Sequence, residues 1–299
     1  LALTPAKFGI AFTLTHLNQA GALVHVYTDG SVQVNHGGTE MGQGLYTKIQ
    51  QIVASAFGVS AERVMVTSTR TDKVPNTSPT AASSGMDLNG MAAKDACDKV
   101  KADLIGFATE HFDTPAEKIR FINNQVLVDD EVYSFEEFIK LAYLNRVPLF
   151  AAGYYRTPKI FYDRQIAKGQ PFLYFANGAA VSEVTIDTLT GEYRVNRVDI
   201  IHDVGRSLNP AIDIGQIEGG FIQGMGWLTT EDLQYDEKGV LLSHSPTTYK
   251  IPAVTVPDAV AAFDSTAFVP SVTEARYDPT GIPVATIGDP ASSRSATLQ

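Results

Sequence analysis

The stretch Gly37–Gly44 combines residue types that can bind a ligand through backbone and amide groups. Its glycines let the backbone approach a ligand closely, and the amide of Gln43 can both donate and accept hydrogen bonds. Residues 45–57 follow with apolar side chains at helical spacing, so free N–H groups at the start of a helix would face an anion or another oxygen-rich group. A tight turn without a ligand is the alternative for this loop taken alone.

Two other segments have a composition suited to the same kind of site. Residues 74–85 are small, uncharged and rich in hydroxyl groups, and they precede a predicted helix at 85–109. Their Ser and Thr side chains can cap that helix or bond a ligand. Residues 208–227 have a helical pattern that contains five glycines together with Gln216 and Gln223. Since each glycine inside a helix costs about 1 kcal/mol, such a helix is expected to pack tightly against a cofactor or against neighbouring backbone.

None of the three segments has the pattern of a nucleotide-binding loop. The Walker lysine is absent, and the glycine-rich stretch does not match a dinucleotide fingerprint with an acidic residue about twenty positions on. The donors are backbone N–H groups and glutamine amides. Glutamine both donates and accepts, so the pattern favours a large polar ring system over a bare phosphate.

The surrounding pattern predicts an α+β fold with two hairpin-plus-helix subdomains flanking a cofactor cleft. A hairpin, a loop and a helix follow one another at residues 22–57, and the same order recurs at 179–228. We predict a first subdomain at 1–150 and a second at 151–253. Between these repeats lie a small hairpin at 119–128 and a helix that begins near Ser134 with a capping-box pattern. The segment that follows Arg156 is predicted to be a loop.

These motifs resemble the molybdenum (molybdopterin)-binding domain of the bacterial xanthine dehydrogenase family, which belongs with the xanthine oxidases and aldehyde oxidases. The resemblance runs in order from residue 1 to about residue 253 and corresponds to the C-terminal half of that domain. Residues 254–299 depart from the family pattern and form a divergent or truncated tail. The resemblance rests on seven segments: 8–13, 17–22, 37–44, 75–83, 153–158, 209–219 and 246–252.

The resemblance implies roles for individual positions. Phe12 matches one of two aromatic rings that sandwich a flat purine, and Thr13 matches a group that bonds the purine edge. No protein side chain is implied as a metal ligand. Contacts to the molybdenum–molybdopterin cofactor are implied for Met41, Gly42, Gln43 (on the pterin side), Ala81, Ala82, Ser83 and Gln216.

The same resemblance implies a function for the longer protein. It would be a xanthine dehydrogenase-type oxidoreductase of the cytoplasm that oxidises hypoxanthine and xanthine to urate with water as the oxygen source. FAD and 2Fe-2S clusters are expected on other domains or subunits. The partners implied are the purine substrate, the upstream half of the molybdenum domain and an iron–sulfur/FAD domain or subunit. Two alternatives are a hydroxylase of aldehydes or other N-heterocycles, against which Phe12 and Thr13 argue, and a non-catalytic cofactor-holding remnant.

The end of the chain departs from the family at its catalytic base. The family's glutamate is missing, and the nearest match is Asp289 in Gly288–Pro290, which is one methylene shorter and has different flanking residues. Asp289 is therefore the candidate base, and the isolated chain is expected to be inactive. Among the other acids, Glu40 is expected to be a structural hydrogen-bonding group of the glycine-rich loop, whereas Glu218 and Glu231 are expected on helix faces.

Composition narrows the class of protein. With 299 residues, 44% hydrophobic, 19% charged and a net charge of −10, the chain is predicted to be soluble and globular, and its negative charge argues against nucleic-acid binding. No apolar run is long enough for a membrane helix and no signal peptide is expected, while the start at Leu1 indicates a piece of a longer polypeptide.

Two residue types limit the metal chemistry of the chain. Cys97 is the single cysteine, so no disulfide, cysteine-based zinc site or iron–sulfur cluster can form within the chain. We expect Cys97 to be a buried small side chain. The histidines lack close metal-ligand spacing, and His36, which is next to the glycine-rich loop, is expected to have either a supporting role beside the cofactor or a structural hydrogen bond.

Overall fold

The computed structural model describes residues 1–73, 77–252, 276–277 and 283–284. Contacts divide the chain into two compact units. The central unit is Gly9–Leu173, and the terminal unit combines Leu1–Phe8 with Tyr174–Gln299. Contacts alone do not define domains, so the predicted limits at residues 150 and 253 stay a prediction.

The central unit contains one four-stranded sheet, one three-stranded sheet, a small hairpin and three helices among its described residues. Its strands are β2 (Gln19–Val26), β3 (Val32–His36), β4 (Val64–Val66), β5 (Ile119–Ile122), β6 (Gln125–Val128), β7 (Glu131–Ser134), β8 (Phe150–Arg156), β9 (Phe161–Asp163) and β10 (Lys168–Gln170). Its helices are α1 (Leu45–Phe57), α2 (Gly85–Phe112) and α3 (Phe135–Leu144).

The four-stranded sheet has the order β4-β3-β2-β8 and carries the helices α1 and α2. The predicted hairpin is confirmed as the antiparallel pair β2–β3, whereas β4 joins β3 in parallel because α1 lies between them in the chain. Helix α2 lies very close to β8, since a Cβ on Gly153 would come within 2.0 Å of the Ala92 carbonyl oxygen. Small residues at this contact therefore hold α2, and the loop that precedes it, tightly against the sheet.

The small meander β5-β6-β7 leads directly into α3. Ser134 forms the predicted capping box, in which its hydroxyl accepts from the Glu137 N–H and the Glu137 carboxylate accepts from the Ser134 N–H. Helix α3 contributes Phe138 to the core, where Phe57 and Phe135 are also fully buried. The core of the central unit thus extends from the sheet through α1 and α2 to α3.

One sequence-based prediction is wrong in the central unit. The segment after Arg156 is not entirely loop, because β9 and β10 pair as a short antiparallel hairpin. These strands have three residues each and are largely exposed, so they lack the buried alternating pattern by which strands are recognised in a sequence.

The terminal unit contains the sheet β1-β11-β12 and one long helix among its described residues. The predicted second hairpin is confirmed as the antiparallel pair β11–β12. The elements are β1 (Ala2–Gly9, which runs one residue into the central unit), β11 (Phe175–Ile186), β12 (Tyr193–His202), α4 (Pro210–Thr229) and the short pair β13 (Arg276–Tyr277) and β14 (Pro283–Val284).

The described part of the terminal unit buries few side chains. Val198 is its one buried hydrophobic residue, and Asp213 and Gly226 are the buried positions of α4. Large apolar side chains such as Ile201, which is 68% exposed, lie on its surface. Across both units, none of the helices in the described ranges combines the length and apolar character needed to cross a bilayer.

Candidate cofactor-binding site

The glycine-rich loop joins β3 to α1 and is braced from behind by buried polar groups. His36, at the end of β3, is 2% exposed and its Nδ1 accepts a hydrogen bond from the Gly38 N–H at 3.1 Å. The ring edge of His36 meets the ring of Tyr46 at a centroid distance of 5.1 Å. Burial, partly offset by the charge of Glu40, lowers the pKa of His36 to about 4. A neutral His36 therefore holds the start of the loop through a structural hydrogen bond, and a supporting role beside the cofactor stays a prediction.

Glu40 folds back over the first turn of α1. Its Oε1 accepts from the Gly42 N–H at 2.9 Å and from the Gly44 N–H at 3.0 Å, and its Oε2 accepts from the Tyr46 N–H at 2.9 Å. Burial alone would raise the pKa of the Glu40 carboxyl. The hydrogen bonds from backbone N–H groups lower this pKa by more than burial raises it, so the pKa lies below its usual value.

These bonds decide between two expectations for the loop. The structural role of Glu40 is confirmed, because its carboxylate bonds only backbone of the loop and of the helix start. The expectation that free N–H groups at the start of α1 face a ligand is wrong for Gly44 and Tyr46. A carboxylate from the same loop already satisfies those donors and the positive end of the helix dipole.

Gln43 spans the glycine-rich loop from within. Its Nε2 donates to the Thr39 carbonyl at 2.8 Å, and its Oε1 accepts from the Met41 N–H at 2.6 Å. Each amide atom can make a further hydrogen bond, so Gln43 can brace the loop and still contact a ligand. Met41, beside it, is 66% exposed, and Gly42 has a φ of +102° with no atom within 4 Å of an added Cβ.

The hydroxyl-rich segment lies directly against the glycine-rich loop. The Thr39 N–H donates to Thr80 Oγ1 at 2.8 Å. Thr77 packs so close to Gly37 that a Cβ there would come within 2.0 Å of Thr77 Oγ1. The two segments that the sequence analysis singled out are thus neighbours within the central unit.

The hydroxyl-rich segment enters α2 through two consecutive left-handed residues. Ala82 and Ser83 have φ values of +55° and +53°, a conformation that costs L-residues energy and that concentrates at functional sites. Ser84, at the N-cap, does not cap the helix, since its hydroxyl donates to the Ala81 carbonyl at 2.9 Å. The N-cap side chain of α2 therefore does not bond the first turn of its helix, whereas in α1 the carboxylate of Glu40, from the preceding loop, does.

Phe12 and Thr13 lie in the turn between β1 and β2. This turn contacts the hydroxyl-rich segment just before α2. The Ala11 N–H donates to the Ala82 carbonyl at 3.3 Å. Phe12 is half-buried and Thr13 is exposed. The structure thus brings the predicted substrate residues next to the predicted cofactor residues Ala81, Ala82 and Ser83.

Gln216 belongs to the other unit, where it is exposed in the second turn of α4. Helix α4 begins at Asn209, whose side chain accepts from the Ile212 N–H at 3.3 Å, and Asp213 accepts from the Ser207 hydroxyl at 2.5 Å. Because Gln216 and the loops of the central unit lie in different units, their convergence on one cofactor stays a prediction.

The glycines of α4 correct one expectation. No described atom outside the helix backbone and the neighbouring residues lies within 4 Å of a Cβ added at Gly215, Gly219, Gly220 or Gly224. Gly226 alone among the α4 glycines is in close contact, with Glu231 and Pro252. The expectation that these glycines allow tight packing against neighbouring backbone is therefore wrong for four of the five, as far as the described residues show.

The candidate acids have different outcomes. Asp289, the candidate base, lies outside the described residues. Glu218 lies within α4, as expected, but Glu231 does not lie on a helix face, because α4 ends at Thr229. Glu231 instead accepts a hydrogen bond from the Tyr249 hydroxyl at 2.5 Å.

The described residues include no group of three or more His, Cys, Asp and Glu side chains arranged to hold a metal ion. Cys97 is fully buried, and burial raises the pKa of its thiol to about 12. This confirms the expectation of a small buried side chain and argues against a nucleophile or a metal ligand.

Comparison with known families decides what kind of ligand this geometry serves. The model of the family described as "Molybdopterin cofactor-binding domain" matches residues 1–256. The chain belongs to the molybdopterin cofactor-binding domain family.

Relatives of known name agree with this assignment. The xanthine dehydrogenase/oxidase of Gallus gallus is 49% identical over 253 residues, which are 85% of this chain and 17% of that protein. The xanthine dehydrogenase of Dictyostelium discoideum is 50% identical over 255 residues, 84% of this chain and 17% of that protein. This chain therefore spans about one sixth of the length of these relatives.

A solved structure has the same fold. Quinoline 2-oxidoreductase from Pseudomonas putida 86 superposes with a TM-score of 0.71 at 24% identity, over 84% of this chain and 33% of the matched chain. At this identity the likeness concerns the fold alone.

The central unit fits a molybdopterin cofactor by its backbone. The exposed Met41 and the open space at Gly42 leave the backbone of the glycine-rich loop accessible. A pterin carries both donors and acceptors, which such a surface can match. Three contributors to this geometry lie in segments that the sequence analysis singled out, but their roles were not predicted: Ala11 bonds Ala82, Asn18 bonds Phe12 and Thr39 bonds Thr80. Their roles depend on contacts with residues distant in the chain or across a turn, and they leave no periodic signal.

Proposed function

We propose that this chain is the cofactor-holding part of a molybdenum hydroxylase, a xanthine dehydrogenase-type oxidoreductase that oxidises hypoxanthine and xanthine to urate with water as the oxygen source. The observation that carries the proposal is the identity of 49–50% to xanthine dehydrogenases across the segments that form the site. The activity belongs to the longer protein, because this chain matches about one sixth of such a relative.

In this proposal the loops of the central unit and α4 hold molybdenum–molybdopterin. Gln43 keeps the glycine-rich loop in shape and offers its remaining amide hydrogen to the pterin. The left-handed pair Ala82 and Ser83 presents backbone to the ligand. When bound, the cofactor supplies the two-electron oxidation that no protein side chain can perform. The cofactor-holding residues are Met41, Gly42, Gln43, Ala81, Ala82, Ser83 and Gln216.

The turn that precedes β2 orients the substrate. The ring of Phe12 stacks on the flat purine, and Thr13, which is exposed, bonds the purine edge through its hydroxyl or backbone. A flat heteroaromatic ring gains more from such stacking than a small aldehyde does. This difference favours flat N-heterocycles, purines among them, over small aldehydes.

Proton transfer from the substrate side needs a general base. The family uses a glutamate, and Asp289, as the nearest match in sequence, is the candidate. We further propose that the upstream half of the molybdenum domain and domains or subunits with FAD and 2Fe-2S clusters complete the enzyme in the cytoplasm. Electrons from substrate oxidation would leave through these clusters.

Metal analysis of the full-length protein tests the proposal. We expect molybdenum and a fluorescent pterin in the purified protein, and turnover of hypoxanthine in preference to benzaldehyde. Gln43→Ala is expected to lower molybdenum content or turnover, because the loop loses both internal amide bonds. Gln125→Ala, an exposed glutamine on β6, is the matched control and should behave as wild type.

Each alternative predicts a different result. Absence of molybdenum and pterin from the full-length protein would favour a non-catalytic structural remnant, whereas bound cofactor without turnover would favour a cofactor-holding remnant. Preferential oxidation of benzaldehyde would favour the aldehyde hydroxylase. Wild-type molybdenum content and turnover in Gln43→Ala would remove Gln43 from the cofactor site.

A further inference from the structure

Asn18 is a buried polar residue with an unusual pair of partners. It is 2% exposed and lies directly before β2. Its Oδ1 accepts from the Phe12 N–H at 2.8 Å, and its Nδ2 donates to the Phe12 carbonyl at 2.8 Å. One side-chain amide thus satisfies both backbone groups of Phe12, as a neighbouring strand would.

The backbone of Asn18 is itself fixed. Its N–H donates to the Thr15 carbonyl at 3.1 Å, and its carbonyl accepts from the Thr157 N–H at 3.0 Å. The next residue, Gln19, pairs with Arg156 where β2 meets β8. Asn18 is therefore anchored to the central sheet, and its amide transfers that fixed position to Phe12.

Ala11 ties the other side of Phe12. It has a φ of +110°, in the left-handed region that non-glycine residues rarely adopt. In this conformation its N–H donates to the Ala82 carbonyl at 3.3 Å. Two consecutive residues are thus held from two directions. The hydroxyl-rich segment holds Ala11 through Ala82, and Asn18 holds Phe12.

We propose that Asn18 is a positioning residue that sets where the Phe12 ring stands relative to the Ala82 loop, and thereby favours flat heteroaromatic substrates over small ones. The proposal rests on the proposed function, in which Phe12 stacks on the substrate. Asn18 does not touch substrate or cofactor in this proposal and acts through the backbone of Phe12. Its loss should affect binding of a flat ring more than the chemical step.

The first experiment needs neither cofactor nor activity. Amide hydrogen exchange in the full-length protein, followed in peptides that cover residues 10–17, reports the Phe12 N–H. Asn18→Leu keeps a similar volume without polar atoms and should speed exchange about ten-fold. Asn18→Asp keeps an acceptor for the Phe12 N–H but loses the donor to the Phe12 carbonyl, and it should also speed exchange, by at least about three-fold. Asn35→Leu removes another buried amide, which bonds Thr67 in the central sheet, and should leave these peptides unchanged.

The second experiment uses steady-state kinetics of the loaded enzyme at matched molybdenum content. Asn18→Leu should raise KM for hypoxanthine about ten-fold while kcat changes less than about three-fold, and KM for a small aldehyde should not change. Asn18→Asp, which loses the donor to the Phe12 carbonyl, should also raise the hypoxanthine KM, because both amide bonds position Phe12. Should Asn18→Leu fail to fold, Asn18→Ser takes its place, because a shorter side chain with one hydroxyl cannot bond both backbone groups.

The outcomes separate the two proposals. Unchanged exchange in Asn18→Leu overturns the positioning role, whatever the enzyme does. Faster exchange with an unchanged hypoxanthine KM overturns the link to specificity. A wild-type protein without molybdenum, or without purine oxidation, counts against the proposed function, while the exchange experiment still decides whether Asn18 holds Phe12.

Discussion

The central unit and the described part of the terminal unit differ in how many apolar side chains they bury. The central unit surrounds its candidate site with a continuous core that includes Phe57, Phe135 and Phe138, all fully buried. In the described part of the terminal unit, Val198 is the one buried hydrophobic residue, and the strands and α4 are largely exposed. The central unit can therefore hold strained loops with its own packing, whereas the described part of the terminal unit shows no comparable core.

The glycines differ between the units for the same reason. Gly153 in β8 permits a backbone contact with α2 that any side chain would block, whereas Gly219 in α4 faces open space. One glycine is required by contacts within its own unit, and the other has no such requirement among the described residues.

The largest expected effect comes from the core. Phe138→Ala should lower the free energy of unfolding of the central unit by about 4 kcal/mol, because it removes a fully buried ring and leaves a cavity. Ile201→Ala in the terminal unit should cost less than about 0.5 kcal/mol, since the side chain is 68% exposed. Denaturant unfolding, monitored by amide exchange in each unit, measures both changes in the free energy of unfolding.

The same experiment can break the comparison. Trp227, the single tryptophan, lies in α4 and is 66% exposed, so its fluorescence reports the terminal unit. If Ile201→Ala costs as much as Phe138→Ala, the terminal unit has a core that the described residues do not show.

The next effect concerns pH. Burial lowers the pKa of His36 to about 4, so the folded state disfavours its protonation and the stability that it confers is complete only above the unfolded pKa, about 6.5. As the pH falls from 7 to 5 the central unit should lose about 2 kcal/mol. His36→Asn retains an acceptor for the Gly38 N–H without a titrating ring and should flatten this dependence in urea titrations at each pH. An unchanged slope would show that His36 is hydrated in solution.

A smaller effect concerns the two helix starts. Glu40→Gln should cost about 1 kcal/mol at pH 7, because the carboxylate that caps α1 is replaced by an uncharged amide. The pKa of Glu40 is lowered, so this contribution is present above the unfolded pKa of about 4.5 and is lost as the pH falls below it. Thermal melts of wild type and Glu40→Gln should therefore converge in acid.

The matched substitution in the terminal unit is Asn209→Ala, which removes the cap of α4. It should also cost about 1 kcal/mol, but without this dependence on acid, because an amide does not titrate. A cost confined to Glu40→Gln would indicate that α4 is already frayed in the free chain.

The smallest effect is a gain. Gly219→Ala should stabilise α4 by up to about 1 kcal/mol in this chain, because alanine favours the helix and no described atom opposes its Cβ. Gly106→Ala, at an equally open position of α2, is the control and should gain a similar amount. In the full-length protein, loss of molybdenum in Gly219→Ala but not in Gly106→Ala would show that the α4 face is covered there.

Local patterns were sufficient for much of the fold. Helix α1 begins at Leu45 and ends at Phe57, as its apolar spacing predicts, and the capping box at Ser134 forms because both partners lie within one turn. The hairpins β2–β3 and β11–β12 follow from alternating side chains around short turns. The exposed pair β9–β10 was missed, since strands without a buried face carry no periodic signal.

The sequence by itself determined the α+β class, most element bounds, the loops that carry the candidate site and the family, because these depend on residue types at fixed spacing. Only the tertiary structure decided how those loops are held. It turned Glu40 into the cap of α1, directed the Ser84 hydroxyl to the Ala81 carbonyl, and placed Asn18 on the backbone of Phe12. The physical reason is that a hydrogen bond depends on the distance and direction between two groups, and both are set by packing that chain spacing does not encode.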